Sequence, residues 1–149
     1  MPPAVPAAEA VDLVKVYGAG PTAVRALDGV SVRFEPARLT AIMGPSGSGK
    51  STLMHCLAGL DTPTEGSVRI AGTDLTGLSD RQLTRLRRQR LGFVFQAFNL
   101  LPTLTAEQNI ALPVQLGGRS PDRVWVRTVV DALGLSDRLR HRPAELSGG

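Results

Sequence analysis

The chain has 149 residues, of which 42% are hydrophobic and 20% are charged, and its net charge is +4. This balance predicts one folded domain with a sizeable core and excludes wholesale disorder. No apolar run approaches the roughly 20 residues that a transmembrane helix needs, which argues against a membrane-spanning segment. The lone cysteine, Cys56, excludes an internal disulfide and fits a reducing compartment.

The first part of the chain predicts a tail followed by strands. Residues 1–10 are rich in proline and alanine and contain no basic residue, so we expect a flexible tail rather than a signal peptide. Residues 11–17 and 30–34 are short β-branched runs, which predict strands of an antiparallel layer. Residues 39–43 form a continuous apolar run, typical of a strand buried on both faces of a parallel sheet.

The middle of the chain alternates between helix and strand patterns. Residues 51–60 carry apolar side chains at helical spacing, whereas residues 67–71 and 91–95 predict strands. Ser79 is a good N-cap for a surface helix over residues 79–90. The arginines of this helix could mark a solvated face or a nucleic-acid contact: Arg81, Arg85, Arg87, Arg88 and Arg90. Because no aromatic residues are interleaved with them, we interpret them as a solvated face.

Two more helices are predicted in the last third of the chain. Thr105 is an N-cap residue, and Pro113 is expected to bend or end the helix that follows it. Ser120 as N-cap, with Pro121 at the first helical position, predicts a helix that ends near Gly134. Its inward-facing side chains are expected to be Val126, Val129, Val130 and Leu133. The succession of strand, glycine-rich loop, helix and mixed elements indicates an α/β nucleotide-binding domain.

The glycine-rich loop matches the phosphate-binding pattern G-x-x-x-x-G-K-[ST] at every fixed position. Its residues are Gly44, Pro45, Ser46, Gly47, Ser48, Gly49, Lys50 and Ser51. The glycines permit backbone conformations in which successive N–H groups point into one concavity, at the N-terminus of the following helix. A turn that binds nothing would leave the position of the lysine unexplained. The loop therefore predicts a bound nucleoside triphosphate.

The residues at the end of the loop have the chemistry that Mg-ATP requires. Lys50 would supply a positive charge to the β- and γ-phosphates, Ser51 would offer its hydroxyl to Mg²⁺, and Thr52 would support the same turn. His55 and Cys56 follow on the helix. A metal or nucleophile role for them would need a partner at suitable spacing, so we interpret them as packing or surface residues.

Further segments match one family in the correct order: "KVYGAG", "LGFVFQAFNLLPTLTAEQNIALP" and "HRPAELSGG". From residue 11 to residue 149 the chain resembles the ATP-binding subunits of ABC transporters, in particular those of lipoprotein-release and macrolide-export systems. The resemblance implies an α/β P-loop NTPase fold with an N-terminal antiparallel β layer and a RecA-like core. It also implies a helical subdomain over about residues 100–149 and core strands that are missing from this chain.

The resemblance assigns roles to residues outside the phosphate loop. Tyr17 would stack on adenine, which suits a flat aromatic ring. Gln96 would be the Q-loop glutamine, which contacts Mg²⁺ and the attacking water. Ser147, Gly148 and Gly149 would belong to the signature motif, which covers the γ-phosphate held by the other subunit of a head-to-tail dimer.

The resemblance also implies partners and an activity. The partners are a second copy of the ATP-binding subunit and an integral membrane permease, with no nucleic acid, which places the protein at the cytoplasmic face of the membrane. The intact domain would hydrolyse ATP. In the family, the Walker B aspartate, the catalytic glutamate and the switch histidine follow the signature motif, so we expect this chain to bind ATP weakly without turnover. The alternatives are a soluble ABC-type ATPase and, more remotely, a GTPase or small-molecule kinase that shares only the loop.

Two positions depart from the family pattern. Ala37 stands in a turn where relatives usually carry glycine, and we expect slight backbone strain there. Gln108 stands where a glutamate is usual, in the region expected to face the membrane partner.

Overall fold

The computed structural model describes residues 5–95 and 97–147, and it divides into two compact units, Met1–Leu91 and Gly92–Gly149. Each unit is described by itself. The first contains an antiparallel sheet with the strand order β2-β1-β3-β4. Its strands are β1 (Ala8–Tyr17), β2 (Val24–Phe34), β3 (Glu65–Ile70) and β4 (Thr73–Asp74). The expected antiparallel layer is confirmed.

The central strand β1 begins earlier than the sequence predicts. Ala8 pairs with Phe34 of β2 on one side and with Ile70 of β3 on the other. The prediction of a flexible tail over residues 1–10 is therefore wrong for residues 8–10, which belong to β1. Alanine and glutamate have weak strand propensity, but pairing with two neighbours outweighs that preference.

Helix α1 (Lys50–Leu57) packs on this sheet and contributes Leu53, Cys56 and Leu57 to the core. Its buried side chains pack against those of the first three strands. The buried cluster consists of Ala10, Leu13, Leu27, Leu53, Cys56, Leu57 and Val68. Burying this set fixes the helix on the sheet, and the first turn of that helix carries the end of the glycine-rich loop.

Helix α2 (Asp80–Arg90) begins as expected, with Ser79 as N-cap. The Ser79 N–H donates to Gln82 Oε1 at 2.8 Å, which closes a capping box. The arginines on its outer face are exposed, which agrees with a solvated surface: Arg81, Arg85, Arg88 and Arg90. Arg87 differs, because it is half-buried and bonds to the main chain of the first unit.

Two expected strands are not formed. Residues 39–43 and 91–95 have no strand partner among the described residues, and Leu39 and Val94 are fully exposed. A strand depends on hydrogen bonds to a neighbour, which an apolar run cannot supply by itself. These segments leave large apolar side chains uncovered, which include Met43, Phe93 and Phe95.

The second unit contains helices α3 (Ala106–Leu116) and α4 (Arg123–Ala132). Thr105 caps α3 as expected, and its N–H donates to Gln108 Oε1 at 2.9 Å. Gln108, the residue that departs from the family pattern, thus closes the capping box of this helix. Pro113 lies inside α3, and the helix continues for three residues beyond it.

The start of α4 corrects another expectation. Asp122, not Ser120, is the N-cap, because its carboxylate accepts from the N–H groups of Val124 and Trp125. An aspartate satisfies these amides and also complements the helix dipole. Val130 is buried as expected, whereas Leu133 is exposed. Of the described helices, none is both long and apolar enough to span a bilayer.

Candidate functional site

The glycine-rich loop enters α1 at Gly49, a position whose backbone conformation and surroundings only glycine can adopt. Gly49 is the N-cap of α1, with φ at +84°. A Cβ atom on Gly49 would lie 2.5 Å from the carbonyl oxygen of Ala26 in β2. The close approach lets the loop turn directly into α1 against the sheet. The sheet and helix thus fix the path of the loop.

The first turn of α1 presents backbone donors. The first backbone hydrogen bond of the helical pattern in α1 runs from the Leu53 N–H to the Gly49 carbonyl, at 2.8 Å. Among the described residues, no acceptor bonds to the N–H groups of Lys50, Ser51 or Thr52. Helix starts leave such donors open, and the helix dipole adds partial positive charge to them. This arrangement is suited to an anion.

Lys50 folds back over the loop. Its ammonium group donates to the carbonyl oxygens of Gly44, at 2.9 Å, and Pro45, at 2.6 Å. It also lies 3.3 Å from Ser48 Oγ. The positive charge is therefore held over the loop that leads into α1. The loop residues from Gly44 to Ser48 are exposed to solvent, as is Ser51.

Tyr17, at the end of β1, is brought to the same helix. Its side chain is 41% exposed, and the Thr52 side chain on the first turn of α1 is among the groups that influence the pKa of Tyr17, which it acts to lower. The tyrosine hydroxyl also donates to Asp61 Oδ2 at 2.6 Å. This bond to Asp61 is the main cause that raises the pKa of Tyr17. The structure thus joins Tyr17 and the residues after the phosphate loop.

Lys15 and Asp61 were not predicted from the sequence as site residues. Lys15 Nζ donates to Asp61 Oδ1 at 2.6 Å, and this bond raises the pKa of Lys15. The pKa of Asp61 is lowered, first by Lys15 and then by Tyr17. Lys15 could have been noticed because it lies two residues before Tyr17, on the same strand face. No local pattern points to Asp61, which is 44 residues from Tyr17.

Four other predicted residues lie outside the described residues or in the second unit. Gln96, Gly148 and Gly149 lie outside the described residues. Ser147 is exposed and belongs to the second unit. The roles assigned to these four residues stay predictions.

Cys56 is a packing residue and His55 is a surface residue, as expected. Cys56 is 1% exposed in the core, and burial raises the pKa of its thiol, whereas His55 is exposed on α1. Within residues 5–95 and 97–147, no group of three or more His, Cys, Asp or Glu side chains could hold a metal ion. A groove of about 820 Å³ lies in the second unit, lined by Ile110, Val126 and other residues, and none of the predicted site residues that the structure describes lines it.

Comparison with known proteins identifies the class. The family model described as ABC transporter matches residues 27–149, so the chain belongs to the ABC transporter family.

Curated relatives agree with this assignment. The chain is 46% identical to the macrolide export ATP-binding/permease protein MacB of Marinobacter nauticus, over 97% of this chain and 23% of that protein. It is 44% identical to the lipoprotein-releasing system ATP-binding protein LolD of Alcanivorax borkumensis, over 97% of this chain and 64% of that protein. An uncharacterised ABC transporter ATP-binding protein of Thermotoga maritima is 46% identical to the chain, over 95% of this chain and 61% of that protein. The chain thus spans less than two thirds of each relative.

Solved structures give the same fold. The chain matches the dimeric ATP-binding cassette MJ0796 bound to ADP and Pi with a TM-score of 0.81 and 36% identity. The match covers 95% of this chain and 63% of the cassette. These comparisons confirm the α/β P-loop fold of an ABC cassette.

Proposed function

We propose that the loop from Gly44 to Ser51 binds the triphosphate of ATP, and that the protein is the ATP-binding subunit of an ABC transporter. One observation carries the binding proposal: the open N–H groups of Lys50, Ser51 and Thr52 begin α1, and the Lys50 ammonium bonds to carbonyls of the loop that leads into this helix. Amide dipoles and a lysine charge that converge at a helix N-terminus stabilise phosphate.

The loop residues would bind the phosphates and the Mg²⁺ of the ligand. Lys50 would exchange some of its bonds to the Gly44 and Pro45 carbonyls for phosphate oxygens, which carry full negative charge. The exposed hydroxyl of Ser51 is an oxygen donor of the kind that Mg²⁺ accepts, so Ser51 would hold the metal together with the phosphates. Bound Mg²⁺ neutralises charge on the phosphate oxygens.

The base would bind at Tyr17. Its half-exposed ring lies at the end of β1, and its hydroxyl bonds to Asp61, which follows α1. Stacking on an aromatic ring contributes about 1–3 kcal/mol per base and requires no base-specific hydrogen bond. An adenine on this ring would extend from the phosphates held by the neighbouring loop.

The remaining assignments rest on membership of the family. Gln96 would contact Mg²⁺ and the attacking water, and the segment Ser147, Gly148 and Gly149 would cover the γ-phosphate held by a second subunit. We propose that a head-to-tail dimer of the protein hydrolyses ATP. Coupling to an integral membrane permease, at the cytoplasmic face of the membrane, belongs to the same proposal.

A soluble ABC-type ATPase is the second candidate. It would use the same loop but no permease. The names of two relatives favour the transporter, since one is an ATP-binding/permease protein for macrolide export and the other belongs to a lipoprotein-releasing system. The transported substrate is left open by this proposal.

Calorimetric titration with Mg-ATP tests the binding proposal. We expect saturable binding to the chain and an affinity at least about tenfold lower for Lys50→Met, because a charge-assisted phosphate contact is lost. Arg38→Met is the matched control, since Arg38 is exposed and its loss changes the net charge equally. At physiological salt we expect the control to stay within about twofold of the unsubstituted chain. Equal affinities for Lys50→Met and the unsubstituted chain would contradict the proposal.

A further inference from the structure

One carboxylate, that of Asp61, ties together two side chains of β1. Its Oδ2 accepts from the Tyr17 hydroxyl at 2.6 Å, and its Oδ1 accepts from Lys15 Nζ at 2.6 Å. Lys15 and Tyr17 lie two residues apart and therefore project from the same face of the strand. The side chains of Lys15 and Asp61 are 12% and 26% exposed, so the bond between these two residues is partly shielded from water.

The end of α1 fixes Asp61 in place. Gly59 has a left-handed backbone conformation, with φ at +63°, and its N–H donates to the Cys56 carbonyl at 3.0 Å. The Leu60 N–H bonds to the His55 carbonyl at 2.9 Å, which completes a Schellman motif. Asp61 follows directly, so its backbone position is set by a regular helix end.

The chain after Asp61 is fastened to β1. The Thr64 N–H bonds to the Val14 carbonyl at 2.8 Å, and Lys15 Nζ also donates to the Thr62 carbonyl at 2.7 Å. The carboxylate is thus held from both sides, by α1 and by the strand that carries Tyr17. A bond to such a fixed acceptor restricts the tyrosine ring.

Lys15 also covers the ring directly. Its Nζ lies over the Tyr17 ring, 4.9 Å from the centroid, within the range of a cation–π contact. The ammonium therefore occupies one face of the ring. A base that stacks on Tyr17 would therefore use the opposite face.

We propose that Asp61 and Lys15 are positioning residues that hold the Tyr17 ring in place for a nucleotide base. This inference rests on the proposed function, in which Tyr17 stacks on adenine. An exposed aromatic side chain loses rotational freedom when it binds a ligand. Asp61 and Lys15 impose that order before the base arrives, so they would strengthen binding of the base without contacting the nucleotide.

The test compares the affinity for Mg-ATP with the affinity for magnesium triphosphate, which has no base, in the 149-residue chain. Tyr17→Ala should weaken ATP binding about tenfold through loss of the stack. Asp61→Ala and Tyr17→Phe should each weaken ATP binding about threefold, since the ring is kept but freed. All variants should bind triphosphate as the unsubstituted chain does, which also reports that they are folded. Asp28→Ala, at an exposed aspartate on β2, is the matched control.

The outcomes separate the two proposals. If Tyr17→Ala binds ATP normally, the proposed adenine contact fails, and the positioning inference fails with it. If Tyr17→Ala weakens ATP binding but Asp61→Ala does not, only the positioning inference is overturned. An equal loss of ATP and triphosphate binding in Asp61→Ala would also overturn it, because that pattern indicates a structural role. In the double variant Tyr17→Ala/Asp61→Ala, we expect no loss beyond that of Tyr17→Ala.

Discussion

Arg87 of α2 donates through Nη1 to the carbonyl oxygen of Gly59 at 2.7 Å. Gly59 lies at the end of α1, 28 residues earlier in the chain. The bond therefore joins the two helices of the first unit at the turn that leads to Asp61. It also distinguishes Arg87 from the exposed arginines of the same helix.

Arg87→Ala should lower the free energy of unfolding by about 1.5 kcal/mol, because a partly buried carbonyl loses a charged donor. Urea unfolding followed by circular dichroism measures the change. Arg88→Ala removes the same charge from the exposed face of the same helix and should change stability by less than about 0.5 kcal/mol. Equal effects of the two substitutions would show that the Gly59 contact contributes nothing specific.

Ala37→Gly should stabilise the chain by about 0.5 kcal/mol. Ala37 has φ at +55°, so the strain expected at this turn is confirmed by its left-handed backbone. Glycine removes the steric cost, although it also increases the entropy of the unfolded chain. Thermal unfolding measures the shift. Ala19→Gly is the control. Ala19 has φ at −144°, where alanine is not strained, so this substitution should only destabilise the chain. A loss of stability in Ala37→Gly would contradict this account of the turn.

Gly49→Ala should impair folding and ATP binding more than Gly47→Ala does. Both glycines have positive φ, at +84° and +80°, so alanine costs about 1–2 kcal/mol of backbone strain at either position. Only at Gly49 would the new Cβ also collide with the Ala26 carbonyl, at 2.5 Å, whereas nothing lies within 4 Å at Gly47. Unfolding midpoints and ATP titrations of the two variants give the comparison. Similar losses at both sites would argue against the close approach of the loop to β2.

The stabilisation that Asp61 contributes should depend on pH. The folded pKa of Asp61 is below its ordinary value of 3.8, so its contribution is present above pH 3.8 and is lost as the pH falls through the folded pKa. The pKa of Tyr17 is above 10.0 and that of Lys15 above 10.5, so their contributions are lost as the pH rises through those folded values.

We therefore expect the stability difference between the unsubstituted chain and Asp61→Ala to be greatest from about pH 5 to about pH 9. It should decrease below and above this window. Urea unfolding at several pH values measures it. A difference that is the same at about pH 3 and about pH 7 would contradict the hydrogen-bond network.

The sequence predicts those features that depend on neighbouring residues. Ser79 and Thr105 were identified as N-caps, and both close capping boxes three residues into their helices. Because a cap acts within a single helical turn, its residue types are visible in a short window. The same holds for the phosphate loop, whose spacing defines a single turn at the start of α1.

Features that need distant partners were not predictable in this way. The apolar run at residues 39–43 has strand character, but among the described residues no strand pairs with it, so its pattern gave a wrong element. The bond from Tyr17 to Asp61 crosses 44 residues and follows from how β1 and the end of α1 pack. Neither residue type nor spacing indicates such a contact.

The central claim is that the loop binds nucleotide phosphate through backbone amides at the start of α1. Two-dimensional ¹H–¹⁵N NMR spectra of the labelled chain, recorded while Mg-ATP is added, test it most directly. We expect the largest shifts at the amides of Lys50, Ser51 and Thr52, with smaller shifts on the exposed face of α2. Saturation with ATP that leaves these three amides unchanged, while signals elsewhere move, would contradict the account.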